Sequence, residues 1–430
     1  MLFSPASLPP SKDIKLQLTM MSTPEFSTKF STTPRLGHYD VVIVGGATSG
    51  SSIAWHLQTN TDFHGSVLAV ERDPSLKFSA TKASNNCMRQ QFATKINVEI
   101  AQYAAAFVKR YGSNFGHDPC VPDDPIRNFG YLYLSGSQSF TKILQKDQQL
   151  QADCGAGTDI ISAEDVKRKY PFFYTGDLDA GSLNIKDEGA FNAIGMVEWM
   201  RKSVQEGGVD YINNEVIEMV IDGPQIQSIK LRSGETISVN TVVNAAGTRA
   251  AQVSRMAGID LPIEARRRYT YIFSVDDPLP QDLPLTVDPT GVHLRSYGPK
   301  DYLVGCPPIG PDVAVDVDDF SFAENAWDEK ILPIITRRIP QFNTARVTDS
   351  WMGHYELNTF DHNAIVGAHD TMKNLYFCVG FSGHGSQQEP ACGRAVAELI
   401  VYGAFKTLDL GVLSYSRIPE NRPLTERAVI

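Results

Sequence analysis

The sequence predicts an α/β fold in which a Rossmann-like, dinucleotide-binding domain is interrupted along the chain by an antiparallel-sheet domain. Three observations carry that prediction. The run Tyr39-Asp40-Val41-Val42-Ile43-Val44-Gly45-Gly46-Ala47-Thr48-Ser49-Gly50 reads as a buried strand, a tight glycine turn and the first turn of a helix. A second strand, Val67-Leu68-Ala69-Val70, ends on Glu71. That acid lies roughly 20 residues beyond the glycines, where a carboxylate can accept hydrogen bonds from an adenosine ribose. From about 259 to 345 the pattern changes to short β-rich runs separated by prolines, and α/β alternation then returns.

Composition bounds the function classes. A chain of 430 residues is long enough for two domains and a large core. Its net charge of -10 argues against nucleic acid and against a polybasic membrane surface. No apolar run reaches the roughly 18 residues that a transmembrane helix needs. The 6 cysteines form no C-x-x-C pair and no cluster with histidine, so free thiols in a reducing compartment are expected, and no metal site. Residues 1–37 are rich in Ser, Thr and Pro and lack an apolar h-region, which excludes a secretory signal. They read as a disordered tail or, given few acids and a single arginine at Arg35, as a poor mitochondrial transit peptide. Met20 or Met21 is an alternative start, and the C-terminal Ala428-Val429-Ile430 is not a peroxisomal address. The expected location is cytoplasmic or mitochondrial.

Taken in order, each element has its own signal. Ala47 stands where G-x-G-x-x-G has its middle glycine, and a methyl group is tolerable there if φ stays negative. Without the second strand and Glu71, the same residues would serve an ordinary strand–turn–helix with no ligand. After the polar block Ser79–Asn86, the residues Met88-Arg89-Gln90-Gln91-Phe92 lead into a helix with Ile96, Ile100, Ala104, Phe107, Val108 and Tyr111 at helical spacing. Asn128–Leu134 alternates as a strand. Met196–Gln205 is helical and Val209–Ile212 a short strand. Val216–Ile221, Ile226–Leu231 and Thr236–Val239 read as an antiparallel meander, followed by an apolar strand from Thr241 to Gly247. The end of such a strand lies beside a bound dinucleotide. A helix is expected at about 325–339, a strand at Leu375–Val379, a glycine turn at Gly380–Gly385 and a helix at Gln388–Val401. The domain reading assigns 38–125, 166–258 and 346–430 to the dinucleotide domain, and 126–165 and 259–345 to the substrate domain.

Four blocks in this order resemble the D-amino-acid-oxidase-like (DAO) superfamily of FAD-dependent oxidoreductases. They are the Gly45–Gly50 turn, Ser84–Phe92, Val243-Asn244-Ala245-Ala246-Gly247 and Gly380-Phe381-Ser382-Gly383-His384-Gly385. The likeness runs from about residue 39 to the C-terminus and takes in sarcosine and glycine oxidases. The Gly380–Gly385 block with Gln387-Gln388 and Gly393–Glu398, together with Arg89–Phe92, Gly353-His354-Tyr355, Asn358-Thr359 and Asn363–Gly367, most resembles a branch shared by bacterial oxidoreductases and a mitochondrial flavoprotein of respiratory complex I assembly. The resemblance implies a glutathione-reductase-like FAD fold and FAD as cofactor. It also implies oxidation of the C–N bond of a secondary amine or N-substituted amino acid by hydride transfer to flavin N5. An assembly factor with little turnover, and a dehydrogenase passing electrons to a quinone or electron-transfer flavoprotein, stand beside that reading.

The resemblance also implies site residues. Gly45, Gly46, Ala47, Thr48, Ser49 and Gly50 would cradle the pyrophosphate, with Glu71 and Arg72 at the ribose. Thr81, Ser84, Gln90, Gln91, Val216, Ala245 and Gly247 would line the cofactor, and the glutamines equally serve to cap the next helix. Gly383, His384, Gly385, Ser386 and Gln387 would face the flavin N1/C2=O edge, where negative charge builds on reduction; His384 would act through its backbone. Arg89 grips a substrate carboxylate, or forms a structural ion pair or flavin contact. Tyr355 is a substrate-side hydroxyl or an aromatic core residue, and His354 tunes the flavin or is merely hydrogen-bonded.

Two departures from the family pattern matter. Trp351 and Met352 stand where sarcosine-oxidase-like enzymes have the cysteine that anchors FAD, and Ser79–Ser84 has no histidine, so FAD is expected to be non-covalent. Leu303 and Gln387 stand where the oxidases have lysines for oxygen activation and for the substrate carboxylate. Oxygen as acceptor is therefore open, and Arg268, Arg295 or Arg89 is left to hold the carboxylate. The apolar Ala391, Ala395, Leu399 and Ile400 of the last helix read as core packing.

Overall fold

Parallel pairing joins Asp210–Asn213, Val67–Glu71, His38–Val44, Thr236–Asn244 and Leu375–Val379, in that spatial order, in a computed structural model that describes residues 30–115, 125–322 and 325–428. The reading of residues 1–29 as a tail lies outside the described residues. Val41, Val42 and Ile43 are all buried because both faces of this sheet are covered, which is why the strand reads as a continuous apolar run. Val41 and Ile43 pack with Ile53, Trp199 and Ala391, from the helices Thr48–Gln58, Ala193–Glu206 and Gly385–Tyr402. Val42 and Val44 face the other way, against Met219, Ile229 and Ala250.

The register sets the position of the cleft. Val44 pairs with Val70 on one side and with Asn244 on the other. Gly45, Glu71 and Ala245 therefore leave the sheet together at its carboxyl edge, where open α/β sheets bind ligands. Thr236–Asn244 is one strand rather than the two expected. Its first half alternates in burial beside Gln225–Leu231, and its last three residues, Val242 to Asn244, are all buried.

The second sheet runs in the order Arg346–Asn358, Ile263–Ser274, Asp301–Cys306, His293–Ser296, Leu285–Val287, Tyr131–Ser135, Ala180–Asn184 and Asp159–Ser162. All its pairings are antiparallel except that of Leu285–Val287 with Tyr131–Ser135. Its core is aromatic, with Tyr269, Tyr271, Phe273 and Phe342 buried together. Two strands cross the expected domain boundaries. Ala180–Asn184 is held between Tyr131–Ser135 and Asp159–Ser162, and Arg346–Asn358 pairs along nearly the whole of Ile263–Ser274. Sheet hydrogen bonding, not position along the chain, assigns them to this sheet.

Arg346–Asn358 also ties the two sheets together. The Glu356 carbonyl accepts from Ser382 N at 2.8 Å, and Asn358 N donates to Ser382 Oγ at 3.0 Å. That junction brings His354, Tyr355 and Glu356 against the glycine turn at 380–385. Among the described residues, no helix is long and apolar enough to cross a membrane.

Candidate active site

Gly45 leaves its strand at φ +102°, and a side chain there would meet the Ala245 carbonyl oxygen at 2.3 Å. A Cβ on Gly50 would lie 1.8 Å from the Gly45 carbonyl oxygen. The first position needs the left-handed backbone and the second the close approach of helix to strand. Ala47 has φ -69°, so its methyl group brings no strain. No side chain caps the helix Thr48–Gln58. Its first N–H groups and the positive end of its dipole are thus available to an anion.

A cavity of about 350 Å³ opens beside this turn. Gly45, Ala47, Ser49, Glu71, Arg72, Val216, Ala245 and Gly247 line it. Glu71 is fixed by Gly46 N on Oε2 and Asp73 N on Oε1, both at 2.8 Å, and burial holds its pKa up. A second cavity, of about 140 Å³, is lined by Ser84, Arg89, Arg268, His354, Tyr355 and Gly383 to Gln387. The two share Ala80, Thr81, Glu356 and Glu389, so they form one elongated cleft from Glu71 to Arg89.

Hydrogen bonds clasp the second cavity from both sides. Thr48 Oγ1 and Thr81 Oγ1 lie 2.8 Å apart, and Ser84 Oγ and Ser386 Oγ 3.2 Å apart. Arg89 N donates to Gln387 Oε1 at 2.7 Å, so this glutamine fastens the arginine loop. Ser382 adopts φ 51°, a conformation rare for a residue with a side chain, at the centre of the glycine turn. His384 is buried with both ring nitrogens unpartnered, its ring 5.4 Å from Phe92. Burial, with the nearby Arg89, keeps that imidazole neutral.

Arg89 lies over the Phe92 ring at 4.3 Å, and its Nη2 donates to the Ala428 carbonyl. Arg268 faces it from the second sheet. Its guanidinium sits 4.2 Å over the Tyr355 ring, donates to the Tyr355 hydroxyl, and bonds Asp312 Oδ2 at 2.8 Å. Its Nε has no partner. His354 Nε2–H donates to the Asp319 carbonyl at 2.9 Å, with Phe320 stacked on the ring at 4.5 Å. Burial lowers the His354 pKa, and it pushes the His293 pKa down to about 4.

Not every expected residue reaches the cleft. Gln90 donates to the Lys186 carbonyl at 3.0 Å. Gln91 donates to Tyr131 O and Glu188 Oε2, each at 2.9 Å. Neither lines the cleft; both bolt the Arg89 loop to the buried Glu188, whose pKa burial raises to about 8. Gly46, Thr48 and Gly50 shape the turn without lining either cavity. Leu303 lines neither. Sequence reasoning missed Glu356, Glu389 and His293. The one signal for Glu389 was an acid directly before the apolar stripe of the last helix.

A model of the family described as FAD dependent oxidoreductase (DAO) matches residues 40–399. The chain is 31% identical over 427 residues to FAD-dependent oxidoreductase domain-containing protein 1 of Xenopus laevis, covering 91% of this chain and 85% of that protein. It is 24% identical over 375 residues to the mitochondrial sarcosine dehydrogenase of Mus musculus, covering 85% of this chain and 40% of that protein. Among solved structures, L-proline dehydrogenase from P. horikoshii matches with a TM-score of 0.77 at 23% identity, covering 90% of this chain and 99% of that one. Glycine oxidase from Geobacillus kaustophilus matches with a TM-score of 0.74 at 17% identity, covering 89% and 99%. At these identities the solved structures speak for the fold.

Proposed function

The chain belongs to the DAO family of FAD-dependent oxidoreductases, and from that premise we propose that it oxidises the C–N bond of a secondary amine or N-substituted amino acid. One observation carries this reading. The second cavity holds two arginines, Arg89 and Arg268, beside Tyr355, in a pocket with the aromatic Tyr131. That lining suits a small carboxylate-bearing substrate.

The residues present fit FAD. The turn at Gly45 and Gly50 leaves no room for side chains, the helix behind it is uncapped, and both ring nitrogens of His384 lack a protein partner. Gly45–Ser49 would hold the pyrophosphate, Glu71 and Arg72 the adenosine, and Gly383–Ser386 the flavin edge. When bound, FAD supplies the hydride acceptor. The protein's part is binding, orientation and charge. Burial keeps His293, His354 and His384 neutral at pH 7, so Arg89 and Arg268 supply the positive charge of the cavity. We read the cofactor as non-covalent, because Trp351, Met352 and Ser79–Ser84 offer neither the cysteine nor the histidine of the covalent relatives. The unpaired thiols Cys87, Cys154, Cys306, Cys378 and Cys392 support a reducing compartment, cytoplasmic or mitochondrial.

An anaerobic titration with N-methyl and cyclic secondary amino acids, followed by the visible flavin absorbance, tests the reading. Bleaching by one member supports it and identifies the substrate class. A yellow protein that no member bleaches shifts the weight to a different donor or to an assembly role. A second reading concerns the acceptor. Among the described residues, no lysine lines either cavity, which favours transfer to a quinone or electron-transfer flavoprotein over oxygen. Admitting air after bleaching, and timing the return of colour, separates the two.

A further inference from the structure

Glu356 and Glu389 stand where the two halves of the cleft join. They come from different elements, the strand Arg346–Asn358 and the first turns of the helix Gly385–Tyr402. Both are buried, at 6% and 7% exposure. Glu389 Oε1 accepts from Ser49 Oγ at 2.7 Å, while its Oε2 has no partner. The Glu356 carboxyl lies by the backbone N–H groups of Gly380 and Phe381, which favour its anion less than burial disfavours it, and its Oε2 is likewise unpartnered. Two buried carboxyl oxygens are thus left unsatisfied beside the middle of the cleft, a state that native structures rarely tolerate without a ligand or solvent.

Their surroundings decide their charge. Around Glu389 stand the hydroxyls of Ser49 and Thr48 and the thiols Cys378 and Cys392. Around Glu356 stand the N–H groups of the glycine turn and Glu389 itself. Among the described residues, neither carboxyl has a Lys, Arg or His as ion-pair partner. Burial raises Glu389 to about 7 and Glu356 to about 8, and the nearby Glu389 further disfavours the Glu356 anion. A pyrophosphate at the Gly45–Ser49 turn would add negative charge next to the same Ser49.

The order of groups along FAD then matches the order along the cleft. Adenosine and pyrophosphate belong at Glu71 and Gly45–Ser49, and the flavin ring at Gly383–Ser386. The ribityl polyol must span the interval between, which is where the two unsatisfied oxygens lie. We propose that Glu356 and Glu389 act as a neutral carboxyl pair that hydrogen-bonds the ribityl hydroxyls, so that FAD binding draws protons onto the protein. The inference rests on the pyrophosphate being at Gly45–Ser49. A neutral acid both donates and accepts, as a polyol does, and it does not repel the phosphates.

Calorimetric titration of apoprotein with FAD, from pH 6 to pH 9 in two buffers of different ionisation enthalpy, counts the protons. In this range FAD itself does not titrate, since its phosphates and adenine ionise below it and its flavin imide above it. The expected result is no net uptake near pH 6, where both carboxyls already hold protons. Uptake should rise towards one or two protons between pH 7.5 and 8.5, with affinity weakening by up to about tenfold per pH unit for each proton. Glu389→Gln, which copies the neutral acid, should bind near pH 6 within about threefold of wild type and lose a proton from the count, whereas Glu389→Ala should bind more weakly at every pH. Wild-type binding with no proton uptake and a flat pH profile would overturn the proposal while leaving the FAD site intact, and it needs no variant to fold. Failure of wild-type apoprotein to bind FAD at all would instead overturn the placement of the cofactor.

Discussion

The carbonyl of Ala428 accepts a hydrogen bond from Nη2 of Arg89, so the last described residue of the chain closes one side of the arginine that faces the candidate substrate cavity. This contact is anchored behind it. Glu426 is fully buried and accepts from Ala93 N at 2.8 Å, and from Thr94 Oγ1 and Asn97 Nδ2 at 2.9 Å each. Arg89 therefore arrives in the cavity already oriented, with the segment from Glu426 to Ala428 as part of its support.

Removing residues 425–430 should leave FAD retention unchanged but weaken binding of a carboxylate substrate or inhibitor by about tenfold, the order expected for losing a hydrogen bond to a charged group. Flavin absorbance of the purified truncation gives the first quantity, and the perturbation of that absorbance by the carboxylate gives the second. Equal affinity in the truncated and full-length proteins would show that Arg89 needs no such support.

Arg89→Ala should raise the dissociation constant of the bleaching substrate by about a hundredfold, because a buried charge-assisted pair is lost. FAD affinity should change by less than about threefold. Arg268→Ala should act in the same direction and also free the Tyr355 hydroxyl, so Tyr355→Phe combined with it should add little further effect. An Arg89→Ala variant that loses FAD while keeping substrate affinity would make Arg89 a cofactor contact.

The dinucleotide domain was legible because its central strands are covered on both faces. Val41 to Val44 and Val67 to Val70 are unbroken apolar runs, and Glu71 follows at the strand end. Elements with other surroundings were harder to read. The first residues of Arg346–Asn358, Arg346 to Ser350, are all exposed and, apart from Val347, polar, so they show no alternation. Ala180–Asn184 is buried but built from Ala, Gly, Ser, Leu and Asn, without the branched residues that announce a strand. Gln90 and Gln91 read as cofactor residues in the sequence because their partner, Glu188, is distant along the chain and nothing local reveals it. Glu389 was hidden for the opposite reason. A glutamate near a helix start ordinarily faces solvent, and only the packing of that helix on Thr48–Gln58 shows that this one is buried.

Gly50→Ala places a methyl group 1.8 Å from the Gly45 carbonyl oxygen, a backbone atom that cannot swing aside as a flexible side chain would. The turn must open, and its N–H groups then no longer converge. The purified variant should be colourless or nearly so, and added FAD should restore little absorbance. Gly45→Val should behave the same way, since it adds strain at φ +102° to a collision with Ala245. Either variant purifying fully yellow would move the pyrophosphate away from this turn.

The apoprotein should lose stability on the alkaline side as well as in acid. Burial raises Glu188 and Glu356 to about 8 and Glu389 to about 7, whereas a glutamate in the unfolded chain titrates near its ordinary value of 4.5. Between those limits the folded state binds more protons than the unfolded state, so stability falls as pH rises from about 4.5 through 8. His56 and His293 act in the opposite sense. Burial lowers both to about 4 from 6.5, so their contribution is complete above pH 6.5 and is lost as pH falls towards 4. The two groups of residues oppose one another between pH 4.5 and 6.5, and above pH 6.5 only the carboxyls still change. The melting temperature of the apoprotein should therefore decline steadily from pH 6.5 to 8.5. Glu188→Gln should flatten part of that decline, because a neutral amide can keep a share of the hydrogen bonds to Gln90, Gln91 and Asn184 without titrating. Thermal melts at constant ionic strength decide the point, and a melting temperature that holds steady or rises across this range would show that these carboxyls are solvated or paired as anions.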